Sequence, residues 1–315
     1  MTQALVKTLI EAAPVATPEP PLVALNIKEL LALNIPPREL ILSPWLPTQG
    51  LTMIYAVRGI GKTLVALWLA YAVATGGSFL KWKADKSRRV LYLDGEMPLV
   101  SMQERMARIV KDTANEPPDD YFRLVNPDAQ ERGFNLATEE GQRRLEPLLT
   151  GVELVIVDNI STLASFGREN ESESWLPLQE WALNLRRRNI SVLFIHHAGK
   201  GGAQRGTSRR EDVLDTVIAL RHPKNYDPKS GAHFEVHFEK ARGLMGEDAA
   251  PFDAKLTPQG WTFQDLENVR TDQILALKAE GLTQREIADE LGISAATVNR
   301  ALKPKRQAEE SGAGT

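Results

Sequence analysis

The chain has 315 residues, 43% of them hydrophobic and 25% charged, with a formal net charge of −3 and no cysteine. Such a balance describes a folded, water-soluble protein with one large domain and a small one, or two of ordinary size. It excludes disulfides, thiolate zinc sites and thiol nucleophiles, and it requires any surface that grips a polyanion to be local.

From the amino end, MTQALVKTLIEAAP is too polar for a signal peptide. No run approaches the ~18 apolar residues of a membrane span, so a cytoplasmic protein is expected. Residues 11–21, EAAPVATPEPP, are rich in proline and alanine and read as disordered or extended chain, with a short helix over 27–33 before Pro36-Pro37. Residues 1–39 form an N-terminal extension on this reading.

At Leu51 the pattern changes. LTMIY (51–55) reads as a short buried strand, and KTLVALWLAYAVAT (62–75) as a mostly apolar helix stopped by Gly76-Gly77. Apolar runs recur at 89–94, 121–125, 153–158, 191–197, 213–220 and 233–240. Amphipathic stretches lie between several of them: SMQERMARIVKD, TEEGQRRLEPLL and WLPLQEWALNLRRR. Strands alternating with helices predict an α/β domain over about 40–250, a mainly parallel sheet flanked by helices. Residues 251–268 read as a linker or closing hairpin turning at Pro258-Gln259-Gly260, followed by an all-helical unit over 269–306 and a polar tail, 307–315.

Within the α/β domain, three stretches carry nucleotide chemistry by their own pattern. AVRGIGKT (56–63) fits the phosphate-loop pattern with alanine in the first glycine position, after a strand and at the start of a helix. Gly59 and Gly61 let backbone amides turn inward, and the helix N-terminus adds partial positive charge. Lys62 supplies a charge to the β- and γ-phosphates and the Thr63 hydroxyl a magnesium ligand. The nucleotide-binding set is Ala56, Arg58, Gly59, Ile60, Gly61, Lys62, Thr63 and Leu64, and the implied cofactors are ATP and Mg2+. ELVIVD supplies Asp158, the partner acid of the motif, expected to hold magnesium through its water shell. VLYLDGEMP ends a strand in Asp94 and Glu96, either of which could orient the attacking water as general base.

With the phosphate loop ahead of it, LDGEMPLVSMQERM resembles the DnaB-type replicative helicases, in which a strand ends in a glutamate followed by Met-Pro and an amphipathic helix. That resemblance implies a RecA-like P-loop fold with Glu96 as the catalytic carboxylate and Asp94 as a supporting one. It also places SVLFIHH (191–197) at the strand whose end reads the γ-phosphate, with histidine where glutamine is usual. Adjacent strand residues face opposite ways, so only one histidine can line the site; His197, nearer the following loop, is assigned as sensor. FIHHAGKGGAQRGTSRR (194–210) looks more like the plasmid RepA hexameric helicases. Lys200, Arg205, Arg209 and Arg210 then become a grip for single-stranded DNA, the alternative being a solvated loop. In FEVHFEKARG, Lys240 and Arg242 match the Lys-x-Arg that in DnaB-type rings reaches the neighbouring subunit's γ-phosphate. Cations on a strand edge are the other reading.

The segment TDQILALKAEGLTQREIADELGISAATVNRALKPKR forms a helix-turn-helix by spacing. Thr283 and Glu286 make a capping box, Gly292 closes that helix, and Ser294 caps the next. Ile287, Ala288, Leu291, Ile293, Val298 and Leu302 form a small core. The motif resembles those of resolvases and bacterial regulators, which implies duplex DNA contacts from Ser294, Thr297, Asn299 and Arg300, with Lys303, Lys305 and Arg306 for phosphates. Two functions follow. The first is a RepA-like hexameric helicase or single-strand translocase of a replication system or mobile element, a homo-oligomer with no membrane association. The second is an ATP-gated DNA-binding regulator or loader that does not unwind DNA.

Overall fold

The computed structural model describes residues 22–164, 171–199, 212–224 and 226–302. The chain divides into two compact units, one ending at Pro37 and the other beginning at Arg38. The first holds α1 (Ile27–Ala32). Asn26 caps it by accepting from the Lys28 and Glu29 amides, and Glu29 returns a bond to the Asn26 amide at 2.8 Å. None of the helix is buried, and Leu30 and Leu31 face solvent.

The second unit opens with β1 (Leu40–Leu42) and β2 (Leu46–Pro47), a small antiparallel pair, then β3 (Leu51–Ala56) and α2 (Lys62–Thr75). A second small hairpin, β4 (Ser78–Phe79) with β5 (Trp82–Lys83), precedes β6 (Val90–Asp94), α3 (Leu99–Asp112) and β7 (Phe122–Val125). Next come α4 (Glu139–Leu145), β8 (Leu154–Asp158), α5 (Ile160–Leu163), α6 (Glu171–Arg187) and β9 (Ser191–His197). The α/β part closes with β10 (Thr216–Arg221), β11 (His233–Ala241), β12 (Phe252–Thr257) and β13 (Gly260–Asp265).

The described strands β3 and β6–β13 form one nine-stranded sheet in the order β13-β12-β11-β10-β3-β9-β8-β6-β7. From β10 to β7 the pairings are parallel; β11, β12 and β13 add an antiparallel wing. Every residue of β3, β8 and β9 is buried, which explains their unbroken apolar runs, since helices cover both faces. One face packs on α2 and α3 through residues such as Ile54, Ile156 and Ile195. The other packs on α4–α6 through Tyr55, Val157 and Phe194. Residues 252–265 are therefore a hairpin continuous with the main sheet.

The two small hairpins and the wing meet at an aromatic cluster that the sequence reading did not anticipate. Trp82, fully buried, makes edge contacts with Trp45 at 5.2 Å and Phe252 at 5.6 Å between ring centroids. Arg88 is also buried, held by Glu39, Asp85 and Glu153.

The helical unit begins at α7 (Leu266–Ala279), three residues earlier than expected, and continues through α8 (Gln284–Leu291) and α9 (Ala295–Leu302). Its core holds the expected Ile287, Ala288 and Val298 and adds Ile274 from α7. Thr283 and Glu286 form the reciprocal box: Glu286 accepts from the Thr283 amide at 2.8 Å, and the Thr283 hydroxyl accepts from the Glu286 amide. Gly292 takes φ 62° in the turn. Replacing Thr283 with alanine should lower the stability of this unit by about 1 kcal/mol, measured by urea unfolding of the full chain.

Candidate functional site

The phosphate loop lies where β3 ends and α2 begins. Gly59 and Gly61 have φ of 83° and 106°, backbone that a residue with a Cβ adopts only under strain. Lys62, only 7% exposed, folds back over the loop and donates to the carbonyls of Ala56 and Val57 at 3.0 and 2.8 Å. Burial lowers its pKa to about 8, against the charges of Asp158 and Glu96, which support the ammonium. Arg58 and Gly59 are exposed, Ile60 is buried beneath the loop, and Thr63 and Leu64 are half-buried.

Parallel pairing brings the acids beside this loop, because the carboxyl ends of parallel strands share one edge. Asp94 and Asp158 are register partners on β6 and β8. Both lie on the α2 face, by alternation from Tyr92 and Ile156. Three carboxylates converge, each with its own side-chain donor. Tyr92 donates its hydroxyl to Asp158 Oδ2 at 2.6 Å. Asn126, just past β7, donates to Asp94 Oδ2 at 2.6 Å, and the Met97 amide donates to the same group. Asn159 donates to Glu96 Oε2 at 2.5 Å while its own Oδ1 accepts from the Thr162 amide, which fixes the orientation of its side chain.

Burial raises the pKa of Asp158, opposed by hydrogen bonds from the Tyr92 and Thr63 hydroxyls. Asp94 is pushed up to about 6 by burial, with the Asp158 charge adding to the effect and the amide donors resisting it. The Tyr92 phenol is pushed well above its ordinary value by burial and by the Asp158 charge, so it stays a donor. Gly95, between the two acids, has no room for a side chain: a Cβ there would lie 2.4 Å from Thr162 Oγ1.

His197 pairs with Ala56 at the end of β9. Since Ile195 faces α2 and Phe194 faces α6, His197 falls on the phosphate-loop face and His196 on the other. The Lys240–Arg242 pair lies elsewhere. Ala241 pairs with Thr216, which pairs with Thr52 at the start of β3. Four strand residues, roughly 13 Å, separate that level from Ala56, so these cations sit at the end of the sheet opposite their own phosphate loop. The Arg242 guanidinium donates to the Asp212 carbonyl at 3.1 Å.

A hard, oxygen-preferring dication fits the pair formed by the Thr63 hydroxyl and the Asp158 carboxylate, because Mg2+ takes one or two protein oxygens and draws the rest from water and phosphate. Among the described residues no group of three or more His, Asp or Glu side chains is placed to hold a metal alone. On the helical unit, Asn299 and Arg300 are exposed. The Ser294 hydroxyl is engaged as a cap, accepting from the Thr297 amide at 3.2 Å. Lys200, Arg205, Arg209, Arg210, Lys303, Lys305 and Arg306 lie outside the described residues. Sequence reasoning missed Tyr92, Asn126 and Asn159.

The AAA domain family profile matches residues 16–203. A winged helix-turn-helix DNA-binding profile matches residues 274–304. Among solved structures, a KaiC-like protein from the hyperthermophilic archaeon Pyrococcus horikoshii OT3 is similar at 14% identity. It covers 69% of this chain and 91% of its own, with a TM-score of 0.51. No curated protein matches the chain.

Proposed function

The chain belongs to the AAA domain family, and from that premise we propose that it is an ATPase assembling into a head-to-tail ring, whose hydrolysis drives movement along single-stranded DNA. The observation that carries the reading is the separation of Lys240 and Arg242 from their own phosphate loop. A heterologous ring interface places one end of a subunit against a different surface of the next, which is how cations at that position would complete a neighbour's site.

Within one subunit the geometry supports the following division of labour. The phosphate-loop amides and Lys62 bind the phosphates. Thr63 and Asp158 would hold Mg2+, which supplies charge neutralisation on the β- and γ-oxygens when bound. Glu96, steadied by Asn159, takes the proton of the attacking water. His197 reads the γ-phosphate from the loop side of β9. The winged helix-turn-helix brings the ring to duplex DNA through Asn299, Arg300 and their neighbours, and several copies on a ring gain avidity.

A second reading, an ATP-gated regulator or loader that does not unwind, draws support from the way the helical unit meets the ATPase. Lys224, in the β10–β11 connection, donates to the Leu291 carbonyl at 3.4 Å. Hydrolysis measured alone, with single-stranded DNA and with duplex DNA separates the two. The motor should show at least tenfold stimulation by single strands, about 1.4 kcal/mol of barrier; indifference to single strands favours the regulator. Among the described residues no helix is long and apolar enough to cross a membrane.

A further inference from the structure

Tyr92 is fully buried in the middle of β6, between Val90 and Asp94 on the face that carries the phosphate-loop helix. Its ring stacks on Phe122 with centroids 6.4 Å apart and planes at 25°. Phenylalanine would satisfy that packing equally well, and without a polar atom to desolvate. The hydroxyl is therefore the informative part. It points across to the neighbouring strand and ends 2.6 Å from Asp158 Oδ2.

A carboxylate that must present an oxygen to a metal has two rotatable bonds and several usable lone pairs, and left to itself it samples many orientations. Donors in the surrounding shell remove that freedom, and losing one typically weakens metal binding 10–100-fold. We propose that Tyr92 is a positioning residue for divalent-cation binding at Asp158: its hydroxyl occupies Oδ2, leaving the carboxylate's remaining acceptor capacity to the Thr63 hydroxyl and the cation. The proposal rests on the reading of Asp158 as a magnesium ligand.

It differs in kind from the other donors at the site. Asn126 and Asn159 hold Asp94 and Glu96, whereas Tyr92 addresses Asp158, the carboxylate that the Thr63 hydroxyl of the phosphate loop also reaches. Its hydrogen bond goes to Asp158 and to neither Glu96 nor a phosphate-loop amide.

The test uses the full chain and its Tyr92→Phe, Tyr92→Leu and Asp158→Asn variants. The probe is ADP carrying a fluorescent N-methylanthraniloyl group, titrated first in EDTA and then with MgCl2. In EDTA, Tyr92→Phe should bind the probe as the parent does, because phosphate-loop contacts are unchanged. With magnesium, the concentration that half-restores tight binding should rise about tenfold. Tyr92→Leu, which loses the hydroxyl along with part of the ring packing, should show the same shift even if its melting temperature falls. An unchanged magnesium midpoint in Tyr92→Phe, beside a raised one in Asp158→Asn, refutes the positioning role and leaves the metal assignment standing. An unchanged midpoint in Asp158→Asn overturns both. A tenfold shift in both tyrosine variants, with probe binding in EDTA preserved, establishes the role.

Discussion

Mixing an Arg242→Ala subunit with a Lys62→Ala subunit should restore ATP hydrolysis that neither protein has alone. On the proposed ring reading, each change removes a different half of one composite site. Lys62→Ala removes the ammonium that the phosphate loop holds 2.8 Å from the Val57 carbonyl, ready for phosphate. Arg242→Ala removes a guanidinium at the opposite end of the sheet. A finger of this kind contributes on the order of 10³–10⁵ in rate, so the homogeneous Arg242→Ala variant should fall by about that much. In a one-to-one mixture, roughly a quarter of head-to-tail interfaces pair an intact loop with an intact finger, which sets the ceiling on recovery. Acting in cis, Arg242 would have to cross the length of β3, and mixing could not help. The outcome that sinks the ring mechanism is absence of rescue in mixtures shown by sedimentation to co-assemble.

The order of motifs along the chain makes the loop and the acids of this site legible in the sequence. A phosphate loop fixes β3 and α2, and helix α2 spans the residues that the apolar pattern assigned to it, from Lys62 to Thr75. The buried runs were readable as parallel strands because helices on both faces leave no polar side to alternate with. The wing was harder to read. Its strands carry mixed patterns, such as half-buried His233 and Glu235 beside buried Phe234 and Val236, and nothing local in the sequence says that β12 pairs back onto β11. Strands of two or three residues, as in the hairpins around Trp45 and Trp82, fall below any periodicity, and the aromatic cluster that ties them to Phe252 joins residues about 200 positions apart.

The three donors were hidden for a related reason. Asn126 follows an edge strand and Asn159 follows Asp158, and each looks like an ordinary turn residue until sheet order sets it beside its acid. Tyr92 did leave a local trace: a hydroxyl two residues before Asp94, on the same face of a strand otherwise made of valine and leucine. Its partner lies on β8, however, and only the β6–β8 pairing makes Asp158 its neighbour. Local sequence reports which residues are able to do chemistry. The donors that hold them in place are set by strand order, and strand order is a tertiary property.

The choice between Asp94 and Glu96 as general base rests on how their lone pairs are committed. Asp94 accepts from the Asn126 side chain, the Met97 amide and the Glu96 amide, so its acceptor capacity goes to holding the turn together. Glu96 accepts from Asn159 through Oε2, which leaves its other oxygen for water. Glu96→Gln can keep the Asn159 bond through its amide oxygen and yet cannot take a proton. It should retain nucleotide binding and melting temperature while hydrolysis falls on the order of 10²–10⁴-fold. Asp94→Asn should behave in the opposite way. Its new amide would point hydrogens at donors in a buried site, costing about 1–3 kcal/mol of stability, and any loss of rate should track that loss of fold. Single-turnover hydrolysis together with thermal melts of both variants distinguishes the two. If Asp94→Asn stays folded and loses the chemistry while Glu96→Gln keeps it, the base is Asp94, and Asn126 takes over the role assigned to Asn159.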